Sequence, residues 1–287
     1  MAPGEKIGKF QILGTLGQGA HSSILHIRRK SDGKQYALKV VPVGDPEEEK
    51  FLHQAQHEFA VSLKLNHDCL IRIHTLEEHK NWLFKVTKAH LLVEYVNGKT
   101  LDQVPPLSLP KLVRVFERVA DGLAHMHRRD VIHSDIKPSN IMLSRSGDVK
   151  VIDYGLARIK GEQKNRLQGT PEYMAPETVK RKLINERSDI FNFGATMYRL
   201  VTFRLPPPTI IPEDGMEVDG EIWTSRLKPV GEINAAAPKD LCDVIHGCLA
   251  FDALKRPESM KVIREQLDGI ADRLAEAGSG THKVMEW

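Results

Sequence analysis

Near Asn97 the hydrophobic period of this 287-residue chain changes, and that change restricts the folds open to it. Before it, apolar residues alternate with polar ones or gather in short runs. Phe10 and Ile12 alternate with Lys9 and Gln11. Ser23–Arg29 and Gln35–Val41 read as strands joined by the turn Ser31-Asp32-Gly33-Lys34, and further strands are expected at Cys69–Thr75 and Ala89–Tyr95. One helix is expected between about Asp45 and Leu65, with Glu47, Glu48 and Glu49 at its positive end. Beyond Asn97-Gly98, Leu112, Val115, Phe116, Val119, Leu123 and Met126 recur at helical spacing, and the same period returns over Ser188–Phe203, Lys239–Leu249 and Pro257–Ala275. The expected class is α+β: a small β-rich part over 1–96 with one helix, a larger mainly helical part over 97–275, and a loose tail over 276–287.

Composition narrows the function classes. With 41 basic and 38 acidic residues the net charge is only +3, and no dense Lys/Arg cluster with interleaved aromatics is present, so no nucleic-acid partner is expected. Hydrophobic residues at 41% are enough for real cores. The longest apolar run, Leu91–Val96, is interrupted by Glu94, so no membrane-spanning segment is expected. The opening MAPGEKIGKF has no apolar stretch of a secretion signal, and a cytoplasmic location is expected. Cys69, Cys242 and Cys248 are scattered, which suits buried thiols and no disulfide framework or zinc site. His53 and His57 stand four apart on the expected helix, but without an evident third ligand a solvated helix face accounts for them. Leu205-Pro206-Pro207-Pro208 reads as a surface connection between helices.

The chemistry-bearing residues come in a fixed order. Gly17-Gln18-Gly19 between two strands would let backbone amides approach a phosphate. Lys39, 20 residues after Gly19, sits inside a strand and needs a buried partner, for which Glu58 on the following helix is the candidate. The strongest local signal is His133-Ser134-Asp135-Ile136-Lys137-Pro138-Ser139-Asn140. Its five key positions (His, Asp, Lys, Pro, Asn) would coincide by chance in about 10⁻⁴ of chains this long. Asp153 follows Asn140 by 13 residues in Val151-Ile152-Asp153-Tyr154-Gly155, and 24 residues later Gly169–Glu177 ends in Ala175-Pro176-Glu177. Turn or cap roles explain any one of these residues but not their order.

In this order the motifs resemble a eukaryotic-type protein kinase, in the style of bacterial members, over about Phe10 to Leu274. The resemblance implies a bilobal kinase fold and an ATP- and Mg²⁺-dependent serine/threonine protein kinase acting on protein substrates. Asp135 then matches the catalytic base, Lys137 the γ-phosphate lysine, and Lys39 with Glu58 the lysine–glutamate pair. Leu16, Gly17, Gly19, Ser22, Ile24, Ala37, Lys39, Val93, Glu94, Val96, Met142 and Ile152 match nucleotide-binding positions, and Asn140 and Asp153 the metal ligands. Glu177 and Arg256 match a pair tying the A-P-E segment to the helical lobe, and Asp189 a buried aspartate behind the catalytic loop. Lys137 together with Gly169-Thr170-Pro171-Glu172-Tyr173 resembles the serine/threonine branch.

Four positions depart from the family pattern. Ser22 replaces the third glycine, Tyr154 replaces phenylalanine, Ser62 replaces an apolar residue, and Ser134 replaces the arginine that receives activation-segment phosphate. Leu156 to Gly169 contains no Ser, Thr or Tyr, so activity without activation-segment phosphorylation is expected, with Thr170 contacting the catalytic aspartate. Thr100 and Ser139 stand where arginine-directed relatives carry glutamate, which argues against a strongly basic consensus. The alternative is a pseudokinase or nucleotide-binding scaffold. Retention of Lys39, Glu58, Asp135, Asn140 and Asp153 weighs against it, and the A-P-E segment weighs against a small-molecule phosphotransferase.

Overall fold

A computed structural model describes residues 4–19, 21–45, 47–160, 168–209 and 218–280. The chain divides into two compact units, one holding the residues up to Asn97 with Ile152–Gly155, the other Gly98–Val151 and the chain from Leu156 onward.

The first unit is a six-stranded antiparallel sheet with one helix. Its strands are β1 (Lys6–Ile7), β2 (Phe10–Gln18), β3 (Ser23–Arg29), β4 (Gln35–Pro42), β5 (Ile73–Lys80) and β6 (Val86–Glu94), in the order β1-β2-β3-β4-β6-β5, and the helix is α1 (Glu49–Ser62). Alternation sets the faces: Phe10, Ile12, Leu25, Ile27, Tyr36, Leu38 and Val40 form one buried layer, while Lys39, between Leu38 and Val40, points to the other. The helix α1 buries Leu52, Ala55, Glu58, Val61 and Ser62 along one stripe.

Several expected boundaries differ, among them the end of α1 at Ser62 and the start of β6 at Val86. The helix begins at Glu49 because Asp45 makes a turn of its own, its side chain accepting from the Glu48 amide at 3.0 Å. The expected strand at Cys69–Thr75 is realised as β5, starting at Ile73; Cys69, Leu70 and Ile71 are buried ahead of it, and Leu70 makes an isolated bridge, so this apolar run records burial more than strand formation.

The second unit is mainly helical. After β7 (Gly98–Thr100) come α2 (Leu109–His127), β8 (Val131–Ile132), β9 (Ile141–Ser144), β10 (Val149–Val151) and β11 (Arg158–Ile159). Then follow α3 (Pro176–Arg181), α4 (Glu186–Thr202), α5 (Gly220–Arg226), α6 (Val230–Ile233), α7 (Lys239–Cys248) and α8 (Met260–Gly280). The strands β10, β9 and β7 make a small sheet, and β11 pairs with β8. Glycine is required at 98, where a Cβ would collide with the Leu143 carbonyl. A capping box starts α4: the Asn185 side chain accepts from the Arg187 and Ser188 amides, and Ser188 Oγ accepts from the Asn185 amide. The helix α8 runs five residues past the expected end at Ala275, as its Ala275-Glu276-Ala277 composition favours. The rest of the expected tail, 281–287, lies outside the described residues.

All three cysteines are buried and none forms a disulfide, and burial pushes the Cys248 thiol up to about 12. Among the described residues no helix is long and apolar enough to cross a membrane.

In the sheet, His90 is buried with its Nδ1 3.0 Å from His79 Nε2, and burial, then the His79 and Lys88 charges, depresses its pKa to about 4. A depressed histidine favours the folded state while neutral. That stability is complete above the ordinary value near 6.5 and is lost as pH falls toward about 4. Urea unfolding is therefore expected to show roughly 1–2 kcal/mol of acid-sensitive stability that the His90→Gln variant lacks.

Candidate active site

The first unit gathers one group of the expected site residues. The strands β2 and β3 form the glycine-rich hairpin, with Gly17 opposite Ile24 and Gln18 opposite Ser23, and the Gly19 amide donates to the Ser22 carbonyl at 2.8 Å. Ala20 lies outside the described residues. The Lys39 ammonium donates to Glu58 Oε2 at 2.7 Å. Burial alone would lower the lysine's pKa, but the Glu58 and Asp153 charges outweigh it and the pKa is raised. Burial and the Asp153 charge push the Glu58 carboxyl up while Lys39 pulls it down; at this distance from a charged lysine it serves as the ionised partner. Lys39 and Asp153 line a cavity of about 220 Å³ with His21, Ser22, Phe51 and Gln54, where the His21 ring stacks on Phe51 at 4.0 Å.

Along the sheet Ala37 pairs with Val93, and Val93, Glu94 and Val96 are half-buried. Leu16 is exposed, and Ile152 precedes Asp153 in the same unit. Asp153 has left-handed backbone, φ 68°, and its Oδ1 accepts from the Gly155 amide at 3.1 Å. Of the four departures from the family pattern, Tyr154 and Ser62 have satisfied hydroxyls, whereas the Ser134 hydroxyl is buried without a hydrogen-bond partner among the described residues. Tyr154, fully buried, donates to the Ile71 carbonyl at 2.9 Å, and burial raises its pKa well above the ordinary value. Ser62 Oγ donates to the Phe59 carbonyl one turn back, at 2.7 Å.

The second unit gathers Asp135, Lys137, Asn140 and Met142, the last on β9 opposite Thr100 and Lys150. Every carboxylate oxygen of Asp135 is engaged. Oδ1 accepts from the Thr170 hydroxyl at 2.8 Å and the Thr170 amide at 3.0 Å. Oδ2 lies 2.8 Å from Lys137 Nζ and accepts from Asn140 Nδ2 at 3.1 Å, while the same Nδ2 reaches the Asp135 carbonyl at 2.8 Å. Lys137 also donates to the Thr170 hydroxyl at 2.6 Å.

The loop carrying Asp135 is fixed from below. Asp189, fully buried on α4, accepts from the His133 amide, the Ser134 amide and His127 Nε2, each at 2.8 Å, and Ser134 takes left-handed backbone, φ 71°. Glu177 and Arg256 form a two-pronged ion pair at 2.7 and 2.8 Å. Further bonds from Arg256 to the Ala250, Phe251 and Arg187 carbonyls satisfy its other donors.

Several supporting residues escape sequence reasoning. Asn192 donates to the Tyr173 carbonyl at 2.5 Å and Thr196 to the Ile136 carbonyl at 3.1 Å. A signal for them exists: Asp189, Asn192 and Thr196 recur at helical spacing as a polar stripe on a buried helix. His127 is signalled only by its place in the last turn of α2, and His21, Phe51 and Gln54 carry no sequence signal.

The family profile for the protein kinase domain matches residues 10–267. The chain belongs to the protein kinase family. Among similar curated proteins is Serine/threonine-protein kinase PrkC of Bacillus subtilis (strain 168), 24% identical over 287 aligned positions that cover 96% of this chain and 43% of that protein. Serine/threonine-protein kinase pkn2 of Myxococcus xanthus is 27% identical over 296 aligned positions that cover 97% of this chain and 33% of its own length. Aurora kinase C of Mus musculus is 29% identical over 205 residues, 70% of this chain and 72% of its own. The kinase chain thus spans less than half the length of the two bacterial relatives.

Removing either member of the Glu177–Arg256 pair strands a buried charge. Glu177→Ala or Arg256→Ala is expected to cost about 3–5 kcal/mol in urea unfolding. Arg256→Lys, which keeps the charge but loses the planar fork, should recover only part of it.

Proposed function

We propose that this kinase transfers the γ-phosphate of ATP, with Mg²⁺, to serine and threonine hydroxyls of protein substrates in the cytoplasm, and that it does so without activation-segment phosphorylation. The names of PrkC and pkn2 support the serine/threonine assignment. The observation that carries the reading is the network on Asp135, in which a lysine, an asparagine and a threonine hydroxyl converge on one buried carboxylate.

In this reading Asp135 orients the substrate hydroxyl and takes its proton as the oxygen–phosphorus bond forms and the bond to the ADP oxygen breaks. Lys137 and Lys39 balance charge on the phosphoryl oxygens, and Glu58 holds Lys39 in place. The backbone of the Gly17–Ser22 hairpin approaches the phosphates. Leu16, Ile24, Ala37, Val93, Met142 and Ile152 enclose the base, and the backbone of Glu94 and Val96 reads it. The donor chemistry fits a hard cation: Asp153 offers carboxylate oxygen, and Asn140, with its Nδ2 committed to Asp135, offers its amide oxygen. When bound, the metal neutralises charge on the phosphates.

The Thr170 hydroxyl is engaged by Asp135 and Lys137, and Ser134 stands where related kinases carry a phosphate-receiving arginine. Both support independence from loop phosphate.

Labelled-ATP transfer to a generic basic protein and to the kinase itself, analysed for phosphoserine and phosphothreonine, tests the main reading. Asp135→Asn is expected to lose about 10²–10⁴-fold in rate; retained nucleotide binding with no transfer by the wild type would favour the scaffold. A second measurement compares protein shown by mass spectrometry to be unphosphorylated at Thr170 with protein incubated with ATP. Equal rates are expected, and strict dependence on phospho-Thr170 would overturn the regulatory part.

A further inference from the structure

The hairpin joining β5 to β6 ends in Asn81-Trp82-Leu83-Phe84-Lys85, and its three apolar side chains stand in solvent. Trp82 is 84% exposed, Leu83 62% and Phe84 85%. Three large neighbouring apolar residues left bare on one tip are unusual for a protein surface.

The tip is built. Its turn is closed by the Asn81 amide donating to the Lys85 carbonyl at 2.9 Å and the Phe84 amide donating to the Asn81 carbonyl at 3.0 Å. The Asn81 side chain accepts from the Leu83 and Lys85 amides at 2.9 and 3.0 Å. Phe84 takes left-handed backbone, φ 60°, which is costly for a bulky residue and ordinary for glycine or asparagine. The fold thus holds an aromatic side chain outward at a position where its backbone disfavours one.

Charge identifies what the tip faces. Lys80, Lys85 and Lys88 flank it, and no acidic residue occurs from His79 to Val93. The three apolar side chains are successive in a tight turn and all three are mostly exposed. A bilayer surface receives a protruding tip from all sides, whereas a protein groove receives one face. Tryptophan and phenylalanine favour the headgroup boundary, and lysines just behind them favour anionic headgroups.

We propose that the β5–β6 tip is a membrane-surface anchor, in which Trp82, Leu83 and Phe84 enter the headgroup region of an anionic bilayer while Lys80, Lys85 and Lys88 bind its phosphate and carboxylate groups. The anchor is independent of the phosphoryl-transfer reading.

The test is co-sedimentation of the whole chain with vesicles of phosphatidylcholine alone or mixed with phosphatidylserine, at low and high salt. Pelleting is expected with phosphatidylserine and weaker at high salt. It should fall about fivefold for each of Lys80→Gln, Lys85→Gln and Lys88→Gln, and tenfold or more for Trp82→Ala with Phe84→Ala. In a Trp287→Phe background, where Trp223 is the one other tryptophan and is already buried, Trp82→Phe should keep most of the pelleting but lose the blue shift of tryptophan emission on vesicles. Phe84→Gly separates this role from a structural one: it should weaken pelleting while leaving the thermal unfolding midpoint equal or higher. Absence of pelleting on both vesicle types overturns the proposal, as does equal pelleting of wild type and the double alanine variant. A concentration-dependent dimer abolished by that double variant, without vesicle binding, would overturn it in favour of a second copy covering the tip.

Discussion

A carboxylate with no solvent access organises the second unit. Asp189 sits inside α4 and would be intolerable there without donors. It obtains three, two of them amides of consecutive loop residues, His133 and Ser134. Both amides reach the one carboxylate, and directly after the second of them the backbone turns through the left-handed region at Ser134. That bend presents the next residue, Asp135, to Lys137, Asn140 and Thr170. The loop is thus anchored on one side by a buried charge and presents Asp135 on the other. Asn192 and Thr196, on the same face of α4, extend the arrangement to Tyr173 and Ile136.

Much of this was legible in the sequence because it is local. The strand Ser23–Arg29 has the expected bounds, α7 and β4 fall within a residue of theirs, and the Lys39–Glu58 contact follows from asking what an inward lysine in a strand requires. The failures share a physical origin in pairing between distant segments. Periodicity marks Cys69–Ile71 as apolar, but whether an apolar run joins a ladder depends on the strand beside it, and β6 pairs only from Ile73 onward. The two-residue strands β1, β8 and β11 are too short to carry a period at all. Site residues identified by motif lie in the expected elements, whereas His127 and Gln54 reach their places through tertiary packing that no local pattern encodes.

The two polar substitutions within apolar surroundings show how a core accepts a hydroxyl. Ser62 returns its proton to its own helix at Phe59, which satisfies the group without a tertiary partner and leaves less apolar surface than a larger side chain would bury. Tyr154 spends its hydroxyl on Ile71, a carbonyl in the irregular stretch before β5. An irregular segment outside the main ladder draws donors and acceptors from elsewhere, and the tyrosine supplies one.

That bond also bears on conformer populations. Any arrangement in which the ring of Tyr154 vacates its site must break a buried hydrogen bond and strand the Ile71 carbonyl, a cost that phenylalanine would not incur. At about 1–3 kcal/mol for an unpaired buried acceptor, the vacated conformer would be depleted roughly 5- to 150-fold relative to a phenylalanine variant. A ligand that binds only the vacated form would lose affinity by the same factor, so one oxygen atom biases which small molecules this unit can accommodate.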